Sequence, residues 1–247
     1  MSHLLRFIAL YGWKENFEFP SRPSVIVELI EDAGITPNKI AIFVPGENEF
    51  RRRTLSKRTT LLDIISPFTN YNSIAFDEPI NGNFLNVKSH MSVSLERNRY
   101  IIAKFRSHFN TNDVIQNIRA ACKYVTPRYG FSHSEIGPLA LAFPAGVGIT
   151  RIDRDTLKRI DSLGHSLRRT NEHLAGKLHD VYGVNVLSPL HLERQVEGQS
   201  LRDWIGAGAR GDLLTIKDEV FAWIVPDSVR PAVRATLFSE GALIATV

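Results

Sequence analysis

Strand-like and helix-like segments follow one another along this chain without regular alternation, and this order limits the folds open to it. A doubly wound parallel sheet needs strands and helices in strict succession, and the sequence lacks that rhythm. The apolar runs typical of strands are 4–13, 39–44, 84–93, 99–105 and 220–225. The amphipathic patterns typical of helices are 24–33, 55–68, 112–125, 200–205 and 228–238. We therefore predict an α+β fold with a mixed or antiparallel sheet and flanking helices.

The longest pattern in the sequence runs from Asp155 to Val181. Its apolar residues recur mostly at steps that keep them on one helical face: Leu157, Ile160, Leu167, Leu174, Leu178 and Val181. This stripe predicts one long amphipathic helix of about seven turns in the C-terminal half. We expect the whole chain, 1–247, to form a single domain. If it is built from two lobes, the division is expected near 94–98.

Composition is that of a soluble globular protein, with 43% hydrophobic and 23% charged residues. The longest apolar runs fall short of the roughly 18 residues that a membrane helix needs, and the N-terminus does not have the pattern of a signal peptide. A single cysteine, Cys122, excludes an intramolecular disulfide framework. We expect a cytoplasmic protein without membrane contact, and the sequence leaves its oligomeric state open.

The densest positive charge is the run Arg51-Arg52-Arg53, followed by Lys57 and Arg58. Such a run is typical either of a solvated loop or of a nucleic-acid-binding patch. Aromatic residues for base stacking are not interleaved with it, which favours the loop. The total charge is mild, at +4 from 30 basic and 26 acidic residues. Nucleic acid is therefore an unfavoured partner.

Near the C-terminus, Gly206, Gly208 and Gly211 spell G-x-G-x-x-G, the pattern of a dinucleotide-binding loop. That loop needs a strand before the glycines and a helix after them, because N–H groups at the start of the helix bind the pyrophosphate. Here the order is reversed, since a predicted helix precedes the glycines and a strand-like run follows them. We interpret Gly206 as the left-handed residue that ends the helix and 208–211 as a turn, and we expect no cofactor.

Residues that could carry catalysis or bind a metal are scattered through the sequence. His165, His173 and His179 are eight and six residues apart, whereas two imidazoles that share a metal on one helix need a separation of four. His133 and His191 are isolated, and we expect all of these histidines to be solvated or to cap helices. The sequence contains no evident nucleophile with a base, acid pair or metal shell. We therefore expect neither an enzyme nor a metal site.

Three stretches of the chain resemble bacterial polymorphic-toxin immunity proteins. In the C-terminal half they are 184–205, V-N-V-L-S-P-L-H-L-E-R-Q-V-E-G-Q-S-L-R-D-W-I, and 212–244, which contains V-F-A-W-I-V-P. The N-terminal R-F-I-A-L-Y-G-W resembles the start of such proteins. Members of this family are encoded beside secreted effectors, including type VI effectors with restriction-endonuclease-like toxin domains. The resemblance implies a non-catalytic protein that binds one cognate toxin and blocks its active site stoichiometrically.

The sequence offers two segments for contact with such a toxin. One is the aromatic and acidic stretch 70–78, interpreted as a short surface loop, where Tyr71, Asp77 and Glu78 would meet the basic rim of a nuclease. The other is the run from Arg51 through Arg52 to Arg53, which would face an acidic, metal-binding centre. Two alternatives remain: an enzyme of unrecognised type with a dispersed active site, and a nucleic-acid-binding regulator that uses 51–58.

Overall fold

A computed structural model of the chain describes residues 4–12, 23–44, 46, 51–55, 60–67, 73–80, 83–94, 99–105, 110–136 and 172–244. Its strands are β1 (Leu4–Tyr11), β2 (Lys39–Phe43), β3 (Arg51–Thr54), β4 (Ser73–Ile80), β5 (Asn83–Ser94), β6 (Tyr100–Phe105), β7 (Tyr129–Ile136), β8 (Val184–Leu187), β9 (Gln195–Val196), β10 (Gln199–Ser200), β11 (Asp212–Lys217) and β12 (Val220–Ile224). Its α-helices are α1 (Pro23–Asp32), α2 (Leu61–Ile65), α3 (Thr111–Cys122), α4 (Pro189–Leu192), α5 (Leu201–Gly206) and α6 (Arg230–Ser239).

Ten of these strands form one sheet, in the order β11-β12-β8-β7-β1-β6-β5-β4-β2-β3. Every pairing between neighbouring strands is antiparallel. β9 and β10 form a separate two-stranded ribbon. The predicted α+β class with an antiparallel sheet is confirmed. Across the described residues, the structure contains no helix long and apolar enough to cross a membrane.

One face of the sheet packs against α1, α2 and α3. The apolar stripes of these helices meet alternate strand residues in one core, in which Ile26, Ile65 and Ile118 are fully buried. The predicted helices at 24–33 and 112–125 are confirmed, because three- and four-residue spacing places their apolar residues on the face that meets the sheet. α3 begins with a capping box, in which Asn110 and Asp113 each bond the backbone N–H of the other.

The opposite face carries a second core over only some of the strands. Segment 178–205 and α6 pack there against β1, β7, β8 and β12, and they bury Tyr129, Trp204 and Trp223. Towards the other end of the same face, the residues of β4, β2 and β3 are half-exposed or exposed. We name this region the open sheet face, and it consists of Lys39, Ala41, Phe43, Arg52, Thr54, Ser73, Ala75 and Asp77.

Two predicted helices differ from the structure. Within the described part of the predicted helix 55–68, that is 55 and 60–67, the helix is Leu61–Ile65. Of the predicted helix Asp155–Val181, residues 155–171 lie outside the described part of the chain, and the remainder is not α-helical. It contains a short 3-10 helix, Glu172–Ala175, followed by Gly176 with a φ of +91°. A residue in that left-handed region cannot continue a right-handed helix, so Leu178 and Val181 reach the core from a loop.

Candidate functional site

The three consecutive arginines form strand β3, where the sequence predicted a loop or a nucleic-acid patch. β3 lies at one end of the described sheet and pairs with β2 through Arg53↔Ile40 and Arg51↔Ile42. All three arginine side chains are exposed. Successive strand residues point to opposite faces, so Arg52 lies on the open sheet face, whereas Arg51 and Arg53 lie on the side of the helices. The run therefore divides its charge between two sides of the sheet edge.

The acidic candidates lie on β4, and the prediction that they occupy a surface loop is wrong. Asp77 is paired across the sheet with Lys39, which is paired in turn with Thr54 at the end of β3. Only β2 separates Asp77 from β3, a distance of about 10 Å at the usual spacing of strands. Glu78 points to the other face and accepts a 2.8 Å hydrogen bond from the Ser89 hydroxyl. Tyr71 lies outside the described residues.

The open sheet face brings together opposite charges around small side chains. Ala41 and Ala75 are directly paired at its middle, and Ser73 extends the same row of β4. Arg52 and Lys39 carry positive charge on this face, and Asp77 carries negative charge. A surface of alanine and serine is flat, so that a partner can approach its backbone closely. The structure thus places one basic and one acidic candidate, Arg52 and Asp77, on the same surface.

The sequence analysis missed a buried cluster of three histidines. His173, His179 and His191 are at most 2% exposed, so the expectation of solvated histidines is wrong for all three. Burial lowers the pKa of each imidazole to about 4, because an imidazolium would lose its hydration there. Neither ring nitrogen of His173 has a hydrogen-bond partner within the described residues. The His173 ring instead packs edge-on against Tyr11, with a centroid distance of 5.5 Å.

His191, a member of this cluster, lies beside Ser188 at the spacing of a base and its nucleophile. The Ser188 hydroxyl oxygen lies 2.9 Å from His191 Nδ1, within the range of activated serines. However, Ser188 is only 8% exposed and His191 is completely buried. The same Nδ1 atom also accepts the backbone N–H of Ser188 at 3.3 Å, which closes the start of α4. The pair therefore caps α4. Helix capping is one of the two roles that the sequence analysis expects for these histidines.

The glycine-rich turn has a structural explanation that differs from the predicted one in detail. Gly206 is the last residue of α5 and lacks the left-handed conformation predicted for it. The left-handed residue is Gly211, with a φ of +101°. A Cβ atom at Gly211 would lie 2.0 Å from the carbonyl oxygen of Ile224, so the close approach of β11 to the end of β12 requires glycine. The helix-then-strand order around the turn is as predicted.

Metal ligands do not gather in the part of the chain that the structure describes. No group of three or more His, Cys, Asp or Glu side chains there is arranged to hold an ion. Cys122 is buried on α3, and burial raises the pKa of its thiol to about 12.

The chain matches no protein-family model and no curated protein. Among solved structures it is similar to a type VI secretion system protein of Pseudomonas aeruginosa, PA0821, with a TM-score of 0.62. The two sequences are 13% identical, and the match covers 99% of this chain and 74% of that one. At this identity the likeness shows a shared fold.

Proposed function

We propose that this chain is an immunity protein that binds a cognate type VI effector, a nuclease-type toxin, and blocks it stoichiometrically in the cytoplasm. The observation that carries the proposal is the structural likeness to a type VI secretion system protein over 99% of the chain. The resemblance of 184–205 and 212–244 to immunity proteins supports the same conclusion from the sequence. In the fold, these two segments supply β8, β11 and β12 at one end of the sheet and much of the second core.

The open sheet face is the surface that we assign to the toxin. Exposed β3 is the last strand of the described sheet and borders this face, so a partner that covers the face would also contact β3. The arginines around that edge suit an acidic segment of the toxin. Asp77 adds a carboxylate that suits a basic one. Charges of both signs on one surface favour specificity, because a partner with a different charge pattern would place like charges against each other and be repelled.

The required affinity sets the size of this interface. Silencing a lethal enzyme demands nanomolar binding or tighter, about −12 kcal/mol, and such complexes usually bury about 800 Å² on each partner. Three strands of about five residues, spaced by about 4.8 Å, cover only roughly 250 Å². The open sheet face would therefore form the centre of the interface. The exposed side chains of Arg51 and Arg53 on β3 would extend the interface beyond this face.

A binding role agrees with the chemistry of the described residues. Ser188 and His191, the pair with catalytic spacing, are buried under the second core and cap α4. A substrate would have to enter that core to reach them. Protein binding, in contrast, uses exposed groups of the kind that surround β3.

Co-expression with the product of the neighbouring effector gene tests the proposal. We expect wild-type protein to co-purify with the effector and to protect cells from it. Ala41→Trp places a large ring on the flat centre of the open sheet face and should abolish protection while leaving the thermal unfolding temperature nearly unchanged. Thr215→Trp, on exposed β11 at the opposite end of the sheet, is the matched control and should protect fully.

The outcomes separate the function from its surface. If wild-type protein neither co-purifies with the effector nor protects, the immunity proposal is wrong. If folded Ala41→Trp protects as well as wild-type protein, the toxin binds elsewhere. Steeply salt-dependent binding to generic DNA, lost when Arg51–Arg53 are replaced, would instead support the nucleic-acid-binding regulator.

A further inference from the structure

A cleft of about 570 Å³ lies at one end of the sheet, where neighbouring strands end at different heights. β7 continues to Ile136, whereas β8 begins at Val184, opposite Ser132 on β7. The notch beyond the start of β8 is bounded by the beginning of β1, the start of α3 and the turn from β12 into α6. Its volume falls within the range of small-molecule sites, roughly 300–1,000 Å³.

An arginine from β1 forms one wall of the cleft. Arg6 is paired across the sheet with Ser134, and its Nε donates a 2.9 Å hydrogen bond to the Ser134 hydroxyl oxygen. This bond holds the planar guanidinium beside β7. A guanidinium has five N–H donors in a fixed fork, and among the described residues the Nη groups of Arg6 are left to bind carboxylate or phosphate oxygens.

A second arginine, Arg230 at the start of α6, lines the opposite wall. Its guanidinium bonds the Asp227 carboxylate and packs over Gly183, where an added Cβ would come within 3.4 Å of Nη2. Arg230 Nε is buried and has no acceptor among the described residues. Buried donors are almost always hydrogen-bonded in folded proteins, so this one points to an acceptor that enters the cleft.

The described lining of the cleft carries a net positive charge. Arg6 and Arg230 face one carboxylate in its lining, that of Asp227, whose side chain is 91% exposed. His133 also lines the cleft, and burial together with the charge of Arg230 lowers its pKa below the usual range, against an opposing effect of Asp180. The Asp180 carboxylate itself is paired at 2.7 Å with Arg234. The positive charge of the two lining arginines is thus only partly compensated.

We propose that this cleft binds a small molecule that carries a carboxylate or phosphate group, with Arg6 and Arg230 holding the anionic oxygens. The hydroxyl groups of Ser134 and Thr111 lie in the same lining and offer further hydrogen bonds. The site is separate from the open sheet face, since two strands, β6 and β5, lie between β1, which supplies Arg6, and β4. It does not depend on the immunity proposal.

Nuclear magnetic resonance titration of the full chain tests this site. The probes are inorganic phosphate, glycerol phosphate and succinate, each compared with chloride at matched ionic strength. We expect saturable shifts of the Nε–H resonances of Arg6 and Arg230 with at least one probe. Arg6→Gln and Arg230→Gln should each raise the Kd by about tenfold or more, because each removes a charge-assisted hydrogen bond. Arg202→Gln, whose guanidinium lies over Phe221, is the control and should leave the Kd unchanged.

The probes also separate the two chemistries. Binding of phosphate and its ester alone indicates a phosphorylated ligand, and binding of succinate alone indicates a carboxylate. The proposal is overturned if chloride shifts the arginine resonances equally, if none of the three anions saturates, or if Arg6→Gln binds as tightly as wild-type protein. Arg6 carries this last test because Arg230 also bonds the turn before α6, and its replacement could disturb the fold.

Discussion

Acidification is expected to destabilise the fold through His173, His179 and His191. Each native pKa is about 4, below the pKa of about 6.5 of a histidine in an unfolded chain. The unfolded state therefore binds more protons between these two values, so that the free energy of unfolding falls as the pH falls. The contribution is complete above about pH 6.5 and is lost progressively down to about pH 4.

The size of the effect follows from the same two pKa values. At pH 5 an unfolded histidine is almost fully protonated and a native one is not, which costs about 2 kcal/mol for each histidine. Three independent histidines would together remove about 6 kcal/mol, a large part of the 5–15 kcal/mol typical of a folded protein. Urea titrations at pH 8 and pH 5 measure this difference directly.

His173→Leu isolates one third of the effect. Because the ring nitrogens of His173 have no hydrogen-bond partner within the described residues, leucine removes no bond there. The loss between pH 8 and pH 5 should shrink by about 2 kcal/mol. Leu178→Ala, a buried change nearby, should lower stability by about 2–5 kcal/mol at both pH values. A wild-type difference of less than about 1 kcal/mol would refute the conclusion that these histidines are buried and neutral.

Two further outcomes are expected. Gly211→Ala should destabilise the protein by at least about 2 kcal/mol, because alanine is strained at this φ and its Cβ meets the Ile224 carbonyl. Gly206→Ala, at the last residue of α5, where an added Cβ meets no atom, should stabilise the protein by up to about 1 kcal/mol. Urea titration checks both, and equal effects would contradict the assigned conformations. Cys122 should resist thiol reagents at pH 8 until the protein is unfolded, since its thiol is buried and its pKa is about 12. Rapid labelling of the folded protein would contradict the burial of Cys122 in the core between α3 and the sheet.

Regular spacing made most of the elements predictable from the sequence. The period of α3 and the apolar runs of β1, β5 and β12 fix which residues face the core, and the structure has each of them where they were predicted. The helix predicted at 200–205 forms as α5, and the Ser200 hydroxyl caps it by accepting the Asp203 N–H. These are local signals, which a short window of sequence contains in full.

The failures arose where distant segments determine the structure. Leu178 and Val181 have helical spacing, but Leu178 instead forms a bridge with Leu243, which is remote in sequence and belongs to the same second core. β3 has no apolar alternation, because it lies at a sheet edge with its side chains exposed. His191 is buried because its imidazole stacks on Tyr129, at a centroid distance of 5.3 Å, and a sequence window around His191 contains no sign of that ring. The open sheet face and the cleft lined by Arg6 and Arg230 were likewise not predictable, since each is formed by segments that are separated in the sequence.

The place of β1 in the sheet has a consequence for how the protein is made. β1 pairs on one side with β6, which begins at Tyr100, and on the other with β7, which ends at Ile136. Protein synthesis adds about 5–20 residues per second, so the apolar β1 segment waits roughly 5–25 s during translation until β6 and β7 have both been made. During this time both edges of a strand that contains Phe7 and Leu10 can pair with other nascent chains. Supply of active protein is therefore expected to depend on chaperones during translation, and to fall when cells overproduce it.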